Sequence, residues 1–207
     1  FKYVLENTRI SCDARDIFPA INAIDRPLNA TLIGLWRKEV FTEVIPETEK
    51  RRTQYYVDGL ATLWPDYDHS VPVWNRILTL GFSGILQESE QKRKEVAQTQ
   101  KQNDFFEGIR ITYQALIDFV GRLAQRAKKD GNEKMYDALC VLQNNPPKTF
   151  YQALLLSYIY FITCEHIEGL QVRSLSNFDV EFYSFYKSDI NNGVDELEIR
   201  KDIAYYF

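Results

Sequence analysis

The chain has 207 residues, 45% hydrophobic and 26% charged, with a formal net charge of −4. This is the make-up of a globular protein of one domain, or two small ones, and it carries no basic footprint for nucleic acid. Nine glycines and seven prolines are too few for a turn-rich sandwich or barrel made by this chain alone, and 13 Tyr with 13 Phe demand a large buried surface.

Residues 1–63 are irregular. Asp16 to Ala23 and Thr42 to Leu63 have mixed patterns broken at Pro27 and Pro46, which predicts loops and short helices. The opening FKYVLENTRISCDAR has no apolar core segment, so no secretory leader is expected there. Next comes WPDYDHSVPVWNRILTLGFSGIL, Trp64 to Leu86, in which His69 stands between carboxylates and a proline ahead of an amphipathic run. By capping logic Ser70 is an N-cap and Pro72 lies in the first turn, where its missing N–H costs nothing. His69 is then either solvated or a ligand contact mounted on a rigid helix start. The run Gln91-Lys-Arg-Lys94 reads as a solvated helix face.

Helical periodicity dominates the remainder. Phe105, Ile109, Tyr113, Leu116, Val120, Leu123 and Ala127 form a 3.6-residue stripe that Lys128-Lys-Asp-Gly131 closes. A short helix is expected over Glu133 to Gln143, ended by Asn144-Asn-Pro-Pro147. Thr149 and Gln152 have capping-box spacing at the start of TFYQALLLSYIYFITCEH, which is apolar on nearly every face. Such a helix must be buried all round, which is hard in so short a chain and predicts a cover from a larger body or a partner. Phe178 to Ser188 is the next helix, with Phe182, Tyr183, Phe185 and Tyr186 as core. Asn191-Asn-Gly193 is a turn, and Asp195 with Glu198 signals a last helix.

Cys12, Cys140 and Cys164 are widely spaced, with no CxxC pair and no Cys/His cluster, so no metal site is expected and a reducing, cytoplasmic setting is. The most apolar run, Ala153 to Thr163, is too short to span a bilayer. Gly81-Phe-Ser-Gly84 lacks the lysine of a P-loop, no GxSxG elbow is present, and the carboxylates are unclustered.

Three stretches, in order, resemble the glycyl radical enzymes, the pyruvate formate-lyase family and its dehydratase and lyase relatives. DYDHSVPVWNRILTLGFSGIL resembles a histidine loop leading into a helix that ends "vL..G..G(I/L)". FFEGIRITYQALIDFVGRLAQRAKK is similar to the family's long helix. PPKTFYQALLLSYIYFITCEHIEGLQVRSLSNFDVEFYSFYKSDI resembles "P..tf.EAlQ..wf.........s.GR.Dq.l.pyY..D". Two departures stand out: Ser176-Asn177 where the family has Gly-Arg, and Gln152 where a glutamate is usual.

The resemblance implies a mainly α chain, the helical N-terminal part of an enzyme whose full-length form is an α/β barrel. Residues 1–207 would then be one partial domain, with 1–63 an entry segment and 64–207 the helical body. The family's thiyl cysteine loop and C-terminal radical glycine are absent from these residues, so no catalytic residue is expected here and the chain alone should be inactive. No bound cofactor is expected; the full-length enzyme would carry a glycyl radical installed by a radical S-adenosylmethionine activase. Its partners would be the barrel and glycyl radical domain of its own enzyme, the activase, and a second copy in a homodimer, with neither nucleic acid nor membrane. The implied chemistry is anaerobic: a lyase, a dehydratase or a formate acetyltransferase-like transfer. Asp68 and His69 from the first stretch, and Arg173, Asn177 and Asp179 from the third, are the expected substrate-binding residues. For Asp179 the alternative is a first-turn carboxylate favoured by the helix dipole, and for Arg173 a surface position. The alternative for the whole chain is a stand-alone helical scaffold or binding module without catalysis.

Overall fold

The computed structural model describes residues 1–21, 39–60, 71–168 and 174–207, with backbone alone at 166–168. Among them the chain is mainly α. The elements are α1 (Lys2–Asn7), β1 (Ile10–Ser11), β2 (Ala20–Ile21), α2 (Pro46–Val57), α3 (Trp74–Val96), α4 (Gln100–Asp130), α5 (Glu133–Leu142), α6 (Phe150–Ile162), α7 (Phe178–Asn191) and α8 (Glu196–Tyr206). A π-helical turn, Thr163–Glu168, follows α6, and β1 pairs antiparallel with β2, Ile10 opposite Ile21.

Local signals set most of the helix ends. Thr99 and Gln102 form a capping box at the start of α4, and Gly131 closes that helix at φ 76°. Asn132 caps α5 by accepting from the Met135 N–H at 3.1 Å. Thr149 and Gln152 form the expected capping box of α6, and Asp195 caps α8 through the Leu197 N–H. In α2, Pro46 sits at the first position, where it sacrifices no hydrogen bond.

The start of α3 differs from expectation. Its first helical residue is Trp74, its N-cap is Val73, and no side chain caps it. Pro72 therefore lies ahead of the first turn, and Ser70 lies outside the described residues. Further along, α3 bends at Gly81, whose φ of 64° and ψ of 178° are not helical. A Cβ there would lie 3.1 Å from Asn145 O and from Pro146 Cα. Both the backbone angle and the close approach demand glycine.

Helices α3 and α4 form an antiparallel pair. Arg93 reaches Asn103 and Glu107 at one end, and Phe82 meets Tyr113 further in. The α4 stripe is buried at Leu116, Val120, Leu123 and Ala127, but Phe105 is 65% exposed. At 1.5 Å per residue, α4 runs past the body it packs on.

Helix α6 is central. Leu155, Leu156 and Ile159 join a cluster with Trp74, Phe82, Leu123, Met135 and Leu139. Phe150 and Leu154 join a second with Leu78, Phe182 and Ile199. Its one fully buried polar side chain, Ser157, donates to Leu154 O at 2.8 Å and meets the Tyr206 hydroxyl at 3.0 Å. Among the described residues, α3, α5, α7 and α8 of the same chain bury most of α6, while Tyr158, Tyr160 and Phe161 stay half-buried. Each buried leucine contributes roughly 2 kcal/mol of transfer free energy. In α7, Phe182 is buried as expected while Tyr183 is 57% exposed.

The first 21 residues are tied down by polar contacts to this body. Arg122 donates to Leu5 O and Thr8 O, Asn132 to Asp13 O and Asp16 O, and Tyr151 to Ile17 O.

One ion pair fastens α8 to α5. Lys134 Nζ lies 2.9 and 3.0 Å from the two oxygens of Asp202 and 3.2 Å from Glu198. It also stands 4.4 Å above the Tyr151 ring centre. Burial raises the Asp202 pKa above the ordinary carboxylate value; Lys134 opposes that without overcoming it, and Glu198 and Asp189 add to the rise. A folded pKa above the unfolded one means that Asp202 favours the fold at low pH. That contribution is lost as pH rises through the folded value. At pH 7, Asp202→Asn should therefore cost less than about 1 kcal/mol, whereas Lys134→Ala, which leaves the carboxylate buried and unpaired, should cost roughly 2–3 kcal/mol. Denaturant unfolding of the two variants checks this ordering; a larger loss in Asp202→Asn would contradict it.

Candidate functional site

Of the five expected substrate residues, Asp68, His69 and Arg173 lie outside the described residues. Asn177 and Asp179 are both exposed, on the turn that opens α7. This turn is built residue by residue. Leu175 packs on the main core. The Ser176 N–H donates to Ser174 Oγ at 2.9 Å, and Ser176 adopts φ 55°. Asn177 is the N-cap of α7, yet its side chain makes no capping bond. Its amide is thus free of the duty that such a residue usually performs. Asp179 and Glu181 place two carboxylates in the first turn, where the helix dipole favours them.

The turn is fixed to the rest of the molecule by Trp74. That side chain is 1% exposed. Its indole N–H donates to Ser174 O at 3.0 Å, across 100 positions of sequence. The ring stacks on Phe161 and meets Tyr160 edge-on, both at 5.4 Å between centres. Trp74 lies five residues after His69 in the first stretch, and Ser174 follows Arg173 directly. The described flanks of the two expected substrate stretches therefore touch. In sequence Trp74 is only a bulky donor at the start of a helix, and the tertiary structure alone supplies its partner.

One other polar groove is internally spent. A groove of about 320 Å³ is lined by Lys134, Tyr151, Gln152, Asp189, Glu198 and Asp202 among others, but Lys134 is engaged by its two carboxylates, and Asp189 accepts from the Phe150 N–H at 2.8 Å. Neither Asn177 nor Asp179 lines it. Burial, reinforced by Asp130, pushes the Cys12 thiol up to about 12, so it is protonated at neutral pH and no nucleophile. Among the described residues, no group of three His, Cys, Asp or Glu could hold a metal ion, and no helix is long and apolar enough to cross a membrane.

The pyruvate formate lyase-like family matches over residues 33–203. The chain belongs to the pyruvate formate lyase-like family. Within it, the solved structures show what this fold resembles. A glycyl radical enzyme from Archaeoglobus fulgidus superposes with a TM-score of 0.69 at 18% identity, over 99% of this chain and 34% of that one. A protein of 1,2-propanediol dehydration in Roseburia inulinivorans gives 0.60 at 16% identity, over 67% and 19%. The glycerol-bound B12-independent glycerol dehydratase of Clostridium butyricum gives 0.57 at 20% identity, over 68% and 20%. The chain thus spans about a third of the first and a fifth of the other two. No curated protein matches it.

Both departures from the resemblance acquire a local account. Gln152 completes the α6 capping box and accepts from the Lys148 N–H at 2.8 Å, a task that a glutamate carboxylate performs as well. Ser176 stands where glycine is usual and retains the left-handed backbone that glycine adopts without cost. Ser176→Gly should therefore stabilise the chain by up to about 1 kcal/mol. Thermal and denaturant unfolding check this; a loss of stability would mean that the serine is worth more than its strain.

Proposed function

We propose that this chain is the helical N-terminal part of a glycyl radical enzyme, and that it forms one wall of the substrate cavity. The observation that carries the reading is the family match over residues 33–203, together with a fold shared over nearly the whole chain with a glycyl radical enzyme. In this reading Asp68, His69, Arg173, Asn177 and Asp179 face the substrate from two stretches whose flanks meet at Trp74 and Ser174. An unspent amide at Asn177 and the carboxylate of Asp179 suit hydroxyl groups, as does a histidine near neutral pH. Two of the similar structures concern diol or glycerol dehydration, so dehydration or radical cleavage of a small hydroxylated substrate is the reaction class we infer, in an anaerobic cytoplasm. The thiyl cysteine and radical glycine would lie in the remainder of the enzyme, the glycine being activated by a radical S-adenosylmethionine enzyme. The packed Tyr, Phe and Leu side chains around α6 would close this side of the cavity to water.

The stand-alone module retains one observation in its favour: most of α6 is buried by helices of this chain. One experiment separates the readings. The native polypeptide is isolated without oxygen, its mass is measured, and it is treated with a radical S-adenosylmethionine activase. A mass well above 24.3 kDa and the paramagnetic doublet of a glycyl radical are expected. In that enzyme, His69→Ala should raise KM by about tenfold or more at unchanged radical yield. A native mass near 24.3 kDa with no radical would overturn the enzyme reading in favour of the module.

A further inference from the structure

We infer that Trp74 is a positioning residue, holding the Ser174–Asp179 turn in the geometry with which it meets a ligand. The inference rests on the proposed function for what the turn binds, but not for how the turn is held. Trp74 is anchored on one side only by packing: it is buried, stacked on Phe161 and edge-on to Tyr160 at the end of α6. On the other side it spends its single polar atom on the carbonyl of Ser174. An indole N–H buried in a core needs a partner, and here that partner belongs to a loop rather than to a helix or sheet.

Phe178 holds the far end of the turn, stacked on Phe182 at 4.4 Å between ring centres and packed against Tyr206 and Phe207; the near end is held more sparsely. Among the described residues, Ser174 and Ser176 bond to each other, Leu175 packs on the core, and Ser176 adopts a backbone angle that an L-residue adopts reluctantly. Asn177 lacks its capping bond. A strained turn with an unspent cap residue retains its shape only if its surroundings over-determine it. Phe178 does so from the α7 side; on the side where the chain enters, the Trp74 bond and the Leu175 contact do. Fixing Ser174 sets where the chain enters the turn, and together with the Phe178 packing it sets the directions of Asn177 and Asp179. Trp74 touches no substrate in this account; it acts through the turn.

The test uses the full-length enzyme. Trp74→Phe retains an aromatic ring against Tyr160 and Phe161 and removes only the donor and the outer ring. A second variant carries the benzothienyl isostere of tryptophan at position 74, which retains the full ring outline without the N–H. Amide hydrogen exchange, KM, kcat and radical yield are measured for both. Loss of one such bond corresponds to about a three- to tenfold change. The expected result is exchange faster by that factor in residues 174–181 alone, and KM raised by a similar factor, with kcat and radical yield within about twofold of wild type. Unchanged exchange in the isostere overturns the inference, and so does faster exchange with unchanged KM. A wild-type enzyme without a radical overturns the functional reading and the substrate half of this inference; the exchange result still upholds or overturns the hold of Trp74 on the turn.

Discussion

The arrangement depends on one hydrogen bond at the N-terminus of the apolar helix. Asp189 is buried, and its carboxylate accepts from the Phe150 N–H at 2.8 Å. A helix enclosed by hydrophobic side chains cannot leave its first N–H groups to water, so its start must be satisfied from within the protein. Thr149 and Gln152 satisfy part of that need locally. Asp189 satisfies the first N–H from another helix, and a negative charge suits the positive end of the helix dipole. The same bond ties the end of α7 to the start of α6, so the direction of α7 follows from it.

Around this point the stretches that carry the family resemblance meet. The bend at Gly81 lies against Asn145 and Pro146, just before α6. The final aspartate of the third stretch is the carboxylate that caps Phe150. Trp74, from the first stretch, grips the turn that opens α7. Residues that look scattered in sequence therefore serve one joint, and the departures do not disturb it. Gln152 completes the capping box, and Ser176 adopts a left-handed backbone that a glycine would adopt without cost. What is altered is the side chain at 177, an asparagine on an exposed turn in place of an arginine. The difference thus falls on an exposed side chain and not on the backbone of the turn.

What could be read from sequence was what local chemistry decides. The Thr149 box, the Gly131 stop and the Asp195 cap are short-range signals, and each helix end follows from them. The stripe from Leu116 to Ala127 was legible because its period survives in a straight helix. Phe105 and Tyr183 were misassigned to the core because periodicity shows which face a residue lies on, not how far the neighbouring body extends. The bend at Gly81 and the grip of Trp74 depend on contacts with residues far along the chain, Pro146 and Ser174, which no local pattern specifies. Asn177 and Asp179 were proposed from the resemblance alone; the structure adds that both are exposed on the turn that opens α7 and that Trp74 bonds to that turn.

The most direct test of this account is the stability and amide exchange of Asp189→Ala in the full-length polypeptide. A buried hydrogen bond to a charged group is worth about 1.5–3 kcal/mol, and its loss leaves the Phe150 N–H unsatisfied. The account predicts destabilisation of about that size, with faster exchange both at the start of α6 and along α7 to the Asn177 turn. A loss below about 0.5 kcal/mol, the level of an ordinary surface substitution, with exchange unchanged at Asn177, would contradict it.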